Sequence, residues 1–80
     1  MMMITEQDAQ SVVVTTETKH ASIYVGALGV SVLVKPLSQR LMGAIKVYPT
    51  FKAAIDSYKS TEAKEMIRLA QEALMPAGVL

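Results

Sequence analysis

The chain has 80 residues, which is enough for one small domain, taken here as residues 1–80, and too few for two. Eight basic and seven acidic side chains leave a formal net charge of +1, which excludes a strongly basic nucleic-acid tail and an acidic solvating tail. Apolar residues make up 51% of the chain and cysteine is absent, so a disordered chain, a disulfide scaffold and a cysteine-based metal or thiol site are also excluded.

Residues 1–10 are predicted to form a loose N-terminal arm. This segment carries Glu6 and Asp8 but no basic residue, whereas a secretory signal begins with positive charge. We therefore expect a cytoplasmic protein.

Three runs rich in β-branched residues predict three strands, at residues 11–18 (SVVVTTET), 21–26 and 30–35. If residues 26–29 form a hairpin loop, apolar side chains meet in pairs on one side of the sheet: Val25 with Val30, Ile23 with Val32, and Ala21 with Val34. On the first strand the same side receives Val12, Val14 and Thr16, because the alternative set would place Glu17 in the core. The N-terminal half is therefore predicted to be a three-stranded antiparallel meander.

Residues 21–34 also form the longest run without a charged side chain. As a helix this run would span roughly 21 Å, which is short of the roughly 30 Å hydrocarbon core of a bilayer. Its Val and Ile content and the breaks at Gly26 and Gly29 favour strands, so we expect no membrane partner.

The segment Val25-Gly26-Ala27-Leu28-Gly29-Val30-Ser31-Val32 follows the pattern V-G-x-x-G-x-x-V, which resembles the loop of KH nucleic-acid-binding domains. In that family the loop joins two helices and clamps the phosphate backbone, usually with basic or small polar residues between the glycines. Here the flanks are β-branched and the central pair is Ala27-Leu28. These features favour a hairpin loop in which the glycines supply unusual φ angles.

His20 is the only imidazole, and its place between two strand runs predicts an exposed turn residue. A serine hydrolase would need it as the base, with Asp8 or Asp56 as the orienting acid, but no serine lies in a G-x-S-x-G turn. Glu17 and His20 would supply two metal ligands at most. We assign no catalytic, metal-binding or cofactor-binding residue and expect no cofactor.

After Pro36 the period of the apolar residues changes from two to about 3.6, which predicts two or three helices packed on one face of the sheet. The first would run from Ser38 as the N-cap to Tyr48, and the second would cover residues 51–58 after Thr50. The third would follow Ser60, cover residues 61–75, and end at Pro76 and Gly78. Each helix has an apolar stripe. The stripe of the first is Leu37, Leu41, Ala44, Ile45 and Tyr48, that of the second is Phe51, Ala54, Ile55 and Tyr58, and that of the third is Ala63, Met66, Ile67, Ala70 and Leu74. The predicted fold class is α+β, with strands first and helices after.

The last two helices also fit a helix-turn-helix, in which Lys59, Lys64 and Arg68 are candidate nucleic-acid contacts. The same surface carries three carboxylates, those of Glu62, Glu65 and Glu72, which oppose attraction to a polyanion. A helix hairpin packed on the sheet is favoured, and nucleic acid is not the expected partner.

The apolar content indicates association, because a domain of this size buries only about 60% of the surface that its unfolded chain exposes. The mean hydropathy of +0.32 is high for a monomer in water. Val13, Tyr24 and Leu33 are the candidate self-association residues, since the predicted register turns them away from the face that the helices cover.

The sequence therefore predicts a small non-enzymatic protein-interaction or regulatory module that acts as a homo-oligomer, most simply a dimer, with an unidentified protein partner. Two alternatives stay open. One is a nucleic-acid-binding regulator that uses the C-terminal helix pair. The other is a minimal ligand-binding protein or enzyme whose pocket forms between subunits, with His20 or Arg40 as the polar group.

Overall fold

The computed structural model describes residues 1–75, in which a five-stranded antiparallel sheet precedes two helices. The strands are β1 (Met3–Gln7), β2 (Ser11–Thr15), β3 (Lys19–Gly26), β4 (Gly29–Pro36) and β5 (Lys46–Tyr48). They lie in the sheet in chain order, each antiparallel to the next. The helices are α1 (Phe51–Ser57) and α2 (Thr61–Leu74). The α+β class is confirmed, although the meander is longer than predicted.

The predicted register of the central hairpin is confirmed. Ile23 lies opposite Val32, and Gly26 opposite Gly29, which closes the turn. Gly29 has a φ of +124°, and a Cβ at this position would lie 2.1 Å from the carbonyl oxygen of Tyr48. Glycine is therefore required here both by the turn and by the close passage of the backbone after β5. The loop joins two strands, so it lacks the helical flanks of a KH loop.

One face of the sheet packs against both helices and forms the core. The sheet contributes Val12, Val14, Ala21, Ile23, Val30 and Val32, and the helices contribute Phe51, Ala54, Ile55, Met66, Ile67 and Ala70. Thr16, predicted on the same side, is 5% exposed. Its hydroxyl donates to the carbonyl of Lys19 at 3.3 Å and accepts from the N–H of the same residue at 3.0 Å, so its burial leaves no polar group without a partner.

Both helices begin at the predicted N-caps. The Thr50 hydroxyl accepts from the N–H of Ala53 at 3.0 Å, and the Ser60 hydroxyl accepts from the N–H of Ala63 at 3.3 Å. At the other end of α1, the Nζ of Lys64 donates to the carbonyl of Ile55 at 2.9 Å. The residues predicted to end α2, Pro76 and Gly78, lie outside the described residues.

A polar contact fixes the start of α2 to the sheet. The Oε1 of Glu62 accepts from the hydroxyl of Thr18 at 3.2 Å and lies 3.6 Å from the Nζ of Lys19. Because Glu62 lies in the first turn of α2, its charge also interacts favourably with the helix dipole. The turn between β2 and β3 is thereby joined to the helix layer.

The helix predicted from Ser38 to Tyr48 is wrong. Residues 37–45 run through turns and bends, and Lys46–Tyr48 is β5, which pairs with β4 from Val30 to Val32. Gly43 has a φ of +126°, which a right-handed helix excludes. The helical spacing of Leu37 and Ile45 is therefore a coincidence, and the part of the chain that is described has two helices.

The loose arm predicted for residues 1–10 contains an edge strand. In β1, Ile4 lies opposite Val14, and the hydroxyls of Thr5 and Thr15 are 2.9 Å apart. A β-bulge between Ile4 and Glu6 shifts the register, so the strand lacks a regular apolar alternation. The first predicted strand is also shorter than residues 11–18, since β2 ends at Thr15.

Candidate interaction surface

The face of the sheet that is turned away from the helices is called here the outer face. Cross-strand pairing arranges its side chains in three rows: Met3, Thr15, His20 and Lys35; Glu6, Val13, Ser22 and Leu33; and Ser11, Tyr24, Ser31 and Val47. Small serines occupy the centre, at Ser22 and Ser31, between larger apolar side chains. Small and large side chains therefore stand beside one another on this face.

Residues 37–45, called here the border segment, lie against one end of the outer face. The Nε2 of His20 is 2.6 Å from the carbonyl oxygen of Gln39, and a Cβ on Gly43 would lie 3.5 Å from the Nζ of Lys35. The prediction of an exposed turn residue at His20 is wrong, because His20 is half-buried within β3. The border segment thus adds its side chains to this side of the molecule.

Exposed apolar side chains are concentrated on this side. Six of them, each between 43% and 65% exposed, belong to the outer face or to the border segment: Met3, Tyr24 and Val47, and Leu37, Met42 and Ile45. The exposed surface of the helices carries charged pairs instead, with Lys52 Nζ 3.0 Å from Asp56 Oδ2 and Arg68 Nη1 2.6 Å from Glu65 Oε1. Apolar side chains gathered on one side of a small domain are typical of a binding surface.

The three predicted self-association residues all lie on the outer face but differ in exposure. Tyr24 is 45% exposed, and its ring lies over Gly26, where a Cβ would come within 2.6 Å of the tyrosine Cε1. Val13 is half-buried. Leu33 is only 8% exposed and lies outside the cluster under the helices, so it is buried on the outer side and offers little surface to a partner.

Five exposed apolar residues of this surface were missed by sequence reasoning: Met3, Leu37, Met42, Ile45 and Val47. Met3 belongs to the predicted loose arm, and Leu37 and Ile45 belong to the apolar stripe of the predicted first helix. Gly43 and Pro36 are the signals against that helix. Gly43 takes a positive φ, and Pro36 is the last residue of β4.

The candidate nucleic-acid contacts do not form a basic patch. Lys64 caps the end of α1 through its hydrogen bond to Ile55, and Arg68 is paired with Glu65. Lys59 is exposed and, within residues 1–75, makes no side-chain hydrogen bond or ion pair. The neighbouring Asp56 carboxylate remains charged, because the hydrogen bond from Lys52 and its positive charge lower the pKa of Asp56. The carboxylates of Asp56 and Glu65 thus lie beside the positive side chains of this surface.

An open groove of about 650 Å³ lies between the β3–β4 hairpin, residues 49–52, and the end of α2 at Gln71 and Met75. Its lining is mainly apolar, and the one charged side chain among its described lining residues, Lys52, is already hydrogen-bonded to Asp56. Neither His20 nor Arg40 lies in this lining, so the two polar groups of the ligand-binding alternative are not brought to the groove.

The remaining chemistry of the described chain is sparse. Among residues 1–75, no three His, Asp or Glu side chains lie close enough to hold a metal ion together. Burial raises the pKa of Tyr58 to about 12, and the neighbouring phenol of Tyr48 adds to this effect. Neither α1 nor α2 has the length and apolar content needed to cross a bilayer.

Comparison of the chain with protein-family models, with curated proteins and with solved structures found no match.

Proposed function

We propose that this protein is a small protein-interaction module that acts as a homo-oligomer, most simply a dimer, whose protomers meet through the outer face and the border segment. It acts by binding and not by catalysis. The observation that carries the proposal is the gathering of exposed apolar side chains on this one side, while the helix side carries paired charges.

The mixture of small and large side chains on the outer face supports a second copy as the occupant. Between the apolar side chains of Tyr24 and Val47, the row that joins them contains only Ser31. Two sheet faces pack about 10 Å apart when their side chains interdigitate, and small side chains opposite large ones allow this. A symmetric dimer uses the same patch twice, so each apolar side chain is covered in both protomers.

The charges at the two sides of the outer face also fit a second copy. Glu6 lies on β1, at one edge, and Lys35 lies on β4, towards the other. A two-fold axis parallel to the central strand β3 would bring the acidic side of one protomer over the basic side of its partner. Complementary charge at the rim of an apolar contact favours one orientation over others.

The test is the mass in solution, measured by sedimentation equilibrium over a hundredfold range of concentration. We expect the wild type to approach a multiple of the 8.7 kDa chain mass as concentration rises. Tyr24→Lys and Val47→Lys should each shift the protein to the monomer, because each places an unpaired charge in the contact of both protomers.

Leu28→Lys is the matched control. Leu28 is 85% exposed, but it lies at the hairpin tip and belongs neither to the outer face nor to the border segment. This variant should keep the wild-type mass. A wild type that stays monomeric at every concentration would overturn the proposal, and so would a Leu28 variant that dissociates while the Tyr24 variant does not.

A cytoplasmic location and a further protein partner belong to the same proposal. The chain contains no cysteine, so its fold depends on no disulfide and is compatible with a reducing compartment. A proteomic pull-down with wild-type protein and with Tyr24→Lys as bait would identify a partner of the dimer as one that the monomeric variant loses. Fractionation of cells that express the protein tests the location.

A further inference from the structure

The border segment is attached to the rest of the protein by few hydrogen bonds. Within it, the N–H of Met42 donates to the carbonyl of Arg40, and the N–H of Gln39 donates to the carbonyl of Pro36 three residues earlier. Among residues 1–75, one hydrogen bond joins residues 38–45 to a residue more than three positions away. It is the contact between His20 Nε2 and the Gln39 carbonyl. A segment with so few bonds belongs to the least stable part of a domain.

The two ends of the segment are held much more firmly. At the start, the N–H of Leu37 donates to the carbonyl of Thr18 at 3.0 Å, next to the end of β4. At the other end, Lys46 pairs with Val32 in the sheet. Residues 38–45 are therefore a flap between two fixed points, with a single latch at Gln39, near its start.

We propose that residues 38–45 open and close as a unit and that the hydrogen bond from His20 to Gln39 holds the closed position. The closed position is the one that presents Met42 and Ile45 to a second copy. The last part rests on the proposed function, whereas the opening itself does not. His20 is a positioning residue in this scheme, because it acts on the partner only through the flap.

The chain itself offers a probe of the opening. Arg40 is an exposed residue within the flap, so trypsin can cleave after it once the segment is free to enter the protease site. The rate of such cleavage follows the population of the open form when opening and closing are fast. Cleavage after Lys59, which is exposed in the connection between α1 and α2, serves as an internal reference that the flap does not affect.

Two substitutions of His20 separate the latch from simple loss of packing. In His20→Gln the side-chain amide reaches about as far as the imidazole Nε2 and can still donate to the Gln39 carbonyl. In His20→Asn the amide lies closer to β3 and cannot span the distance. We expect cleavage after Arg40 to be about fivefold faster in His20→Asn, the factor that one hydrogen bond of ordinary net strength contributes, and close to the wild-type rate in His20→Gln.

The reference site decides how these rates are interpreted. Equal rates after Arg40 in the wild type and His20→Asn would overturn the latch, as would a His20→Gln variant that is cleaved as fast as His20→Asn. A parallel rise at Arg40 and Lys59 would show general loss of stability and would overturn it too.

Sedimentation of the same variants tests the link to association. We expect His20→Asn to weaken self-association by a similar factor and His20→Gln to leave it unchanged. An unchanged association constant in His20→Asn, with faster cleavage after Arg40, would overturn the role of the flap in association. A monomeric wild type would overturn the proposed function together with that role, and the cleavage rates would then decide the latch alone.

Discussion

Gly29 is the residue at which the sheet tolerates a side chain least. Its φ of +124° and the approach of the Tyr48 carbonyl, 2.1 Å from an added Cβ, mean that alanine is both strained and in collision with backbone. We expect Gly29→Ala to lower the free energy of unfolding by more than about 2 kcal/mol in urea titrations. Gly26→Ala is the control, because its Cβ would meet only the edge of the Tyr24 ring, which can turn toward solvent. Equal losses in the two variants would contradict this account of the hairpin.

Tyr58 makes stability depend on alkaline pH. Burial, with a contribution from Tyr48, raises the pKa of its phenol from 10.0 to about 12 in the folded protein. Between these values the unfolded chain releases the proton first, so unfolding becomes easier as the pH rises from 10 toward 12. The loss is on the order of 1 kcal/mol once solvent screening of the partly exposed ring is included.

The measurement for Tyr58 is the free energy of unfolding at a series of pH values above 9. Tyr58→Phe should flatten the fall between pH 10 and 12 relative to wild type, because it removes the phenol that gives the fall. Tyr24→Phe, a change at a ring 45% exposed, should leave the fall in place. Identical profiles for wild type and Tyr58→Phe would show that burial of this phenol does not govern alkaline stability.

At the scale of the elements, the sequence predicts well the parts in which local pattern and long-range packing agree. The hairpin of β3 and β4 has a two-residue alternation, glycines at its turn and a single register that places all of its Val and Ile pairs on one side. The helices α1 and α2 have caps at Thr50 and Ser60 ahead of stripes with helical spacing. In these elements each residue favours the same structure that its neighbours favour.

The two edge strands could not be found in this way, because their structure depends on partners that are distant in sequence. β1 has a bulge and one half-buried side chain within it, Ile4, so it carries no period of its own. β5 has three residues, and it follows a segment in which apolar side chains happen to recur at helical spacing. The missed residues of the candidate surface lie in these two misassigned parts of the chain: Met3 in β1, and the others from Leu37 to Val47.

The connection between α1 and α2 depends on Lys64, which the sequence offered as a nucleic-acid contact. Its Nζ donates to the Ile55 carbonyl at 2.9 Å, where α1 ends without a basic residue in its last turn. We expect Lys64→Met, which keeps the apolar stem, to cost about 1 kcal/mol in urea unfolding. Lys59→Met should cost much less, since Lys59 is exposed. Equal stability of the Lys64 variant and the wild type would show that this cap contributes nothing.

For the whole molecule, the question is how a sheet with helices on one face alone hides enough apolar surface. The core under the helices accounts for most of the buried side chains, but Leu33 is buried on the opposite side. Leu33 therefore lies buried on the same face of the sheet as the exposed side chains of Tyr24 and Val47. In the proposed dimer, stability of the protomer and association of protomers are thus carried by different residues of the same face.

This division predicts different behaviour for Leu33→Ala and Tyr24→Lys when melting temperature is measured against protein concentration. In the proposed dimer, association with a second copy would raise the melting temperature of the wild type as concentration increases. Leu33→Ala removes a side chain that is 8% exposed, which should cost about 2 to 3 kcal/mol of stability. The melting temperature should therefore fall at every concentration, and its dependence on concentration should remain. Tyr24→Lys should abolish the dependence and leave the melting temperature near that of dilute wild type. If Leu33→Ala removed the dependence and Tyr24→Lys kept it, Leu33 would be a contact between protomers and its burial within one chain would be wrong.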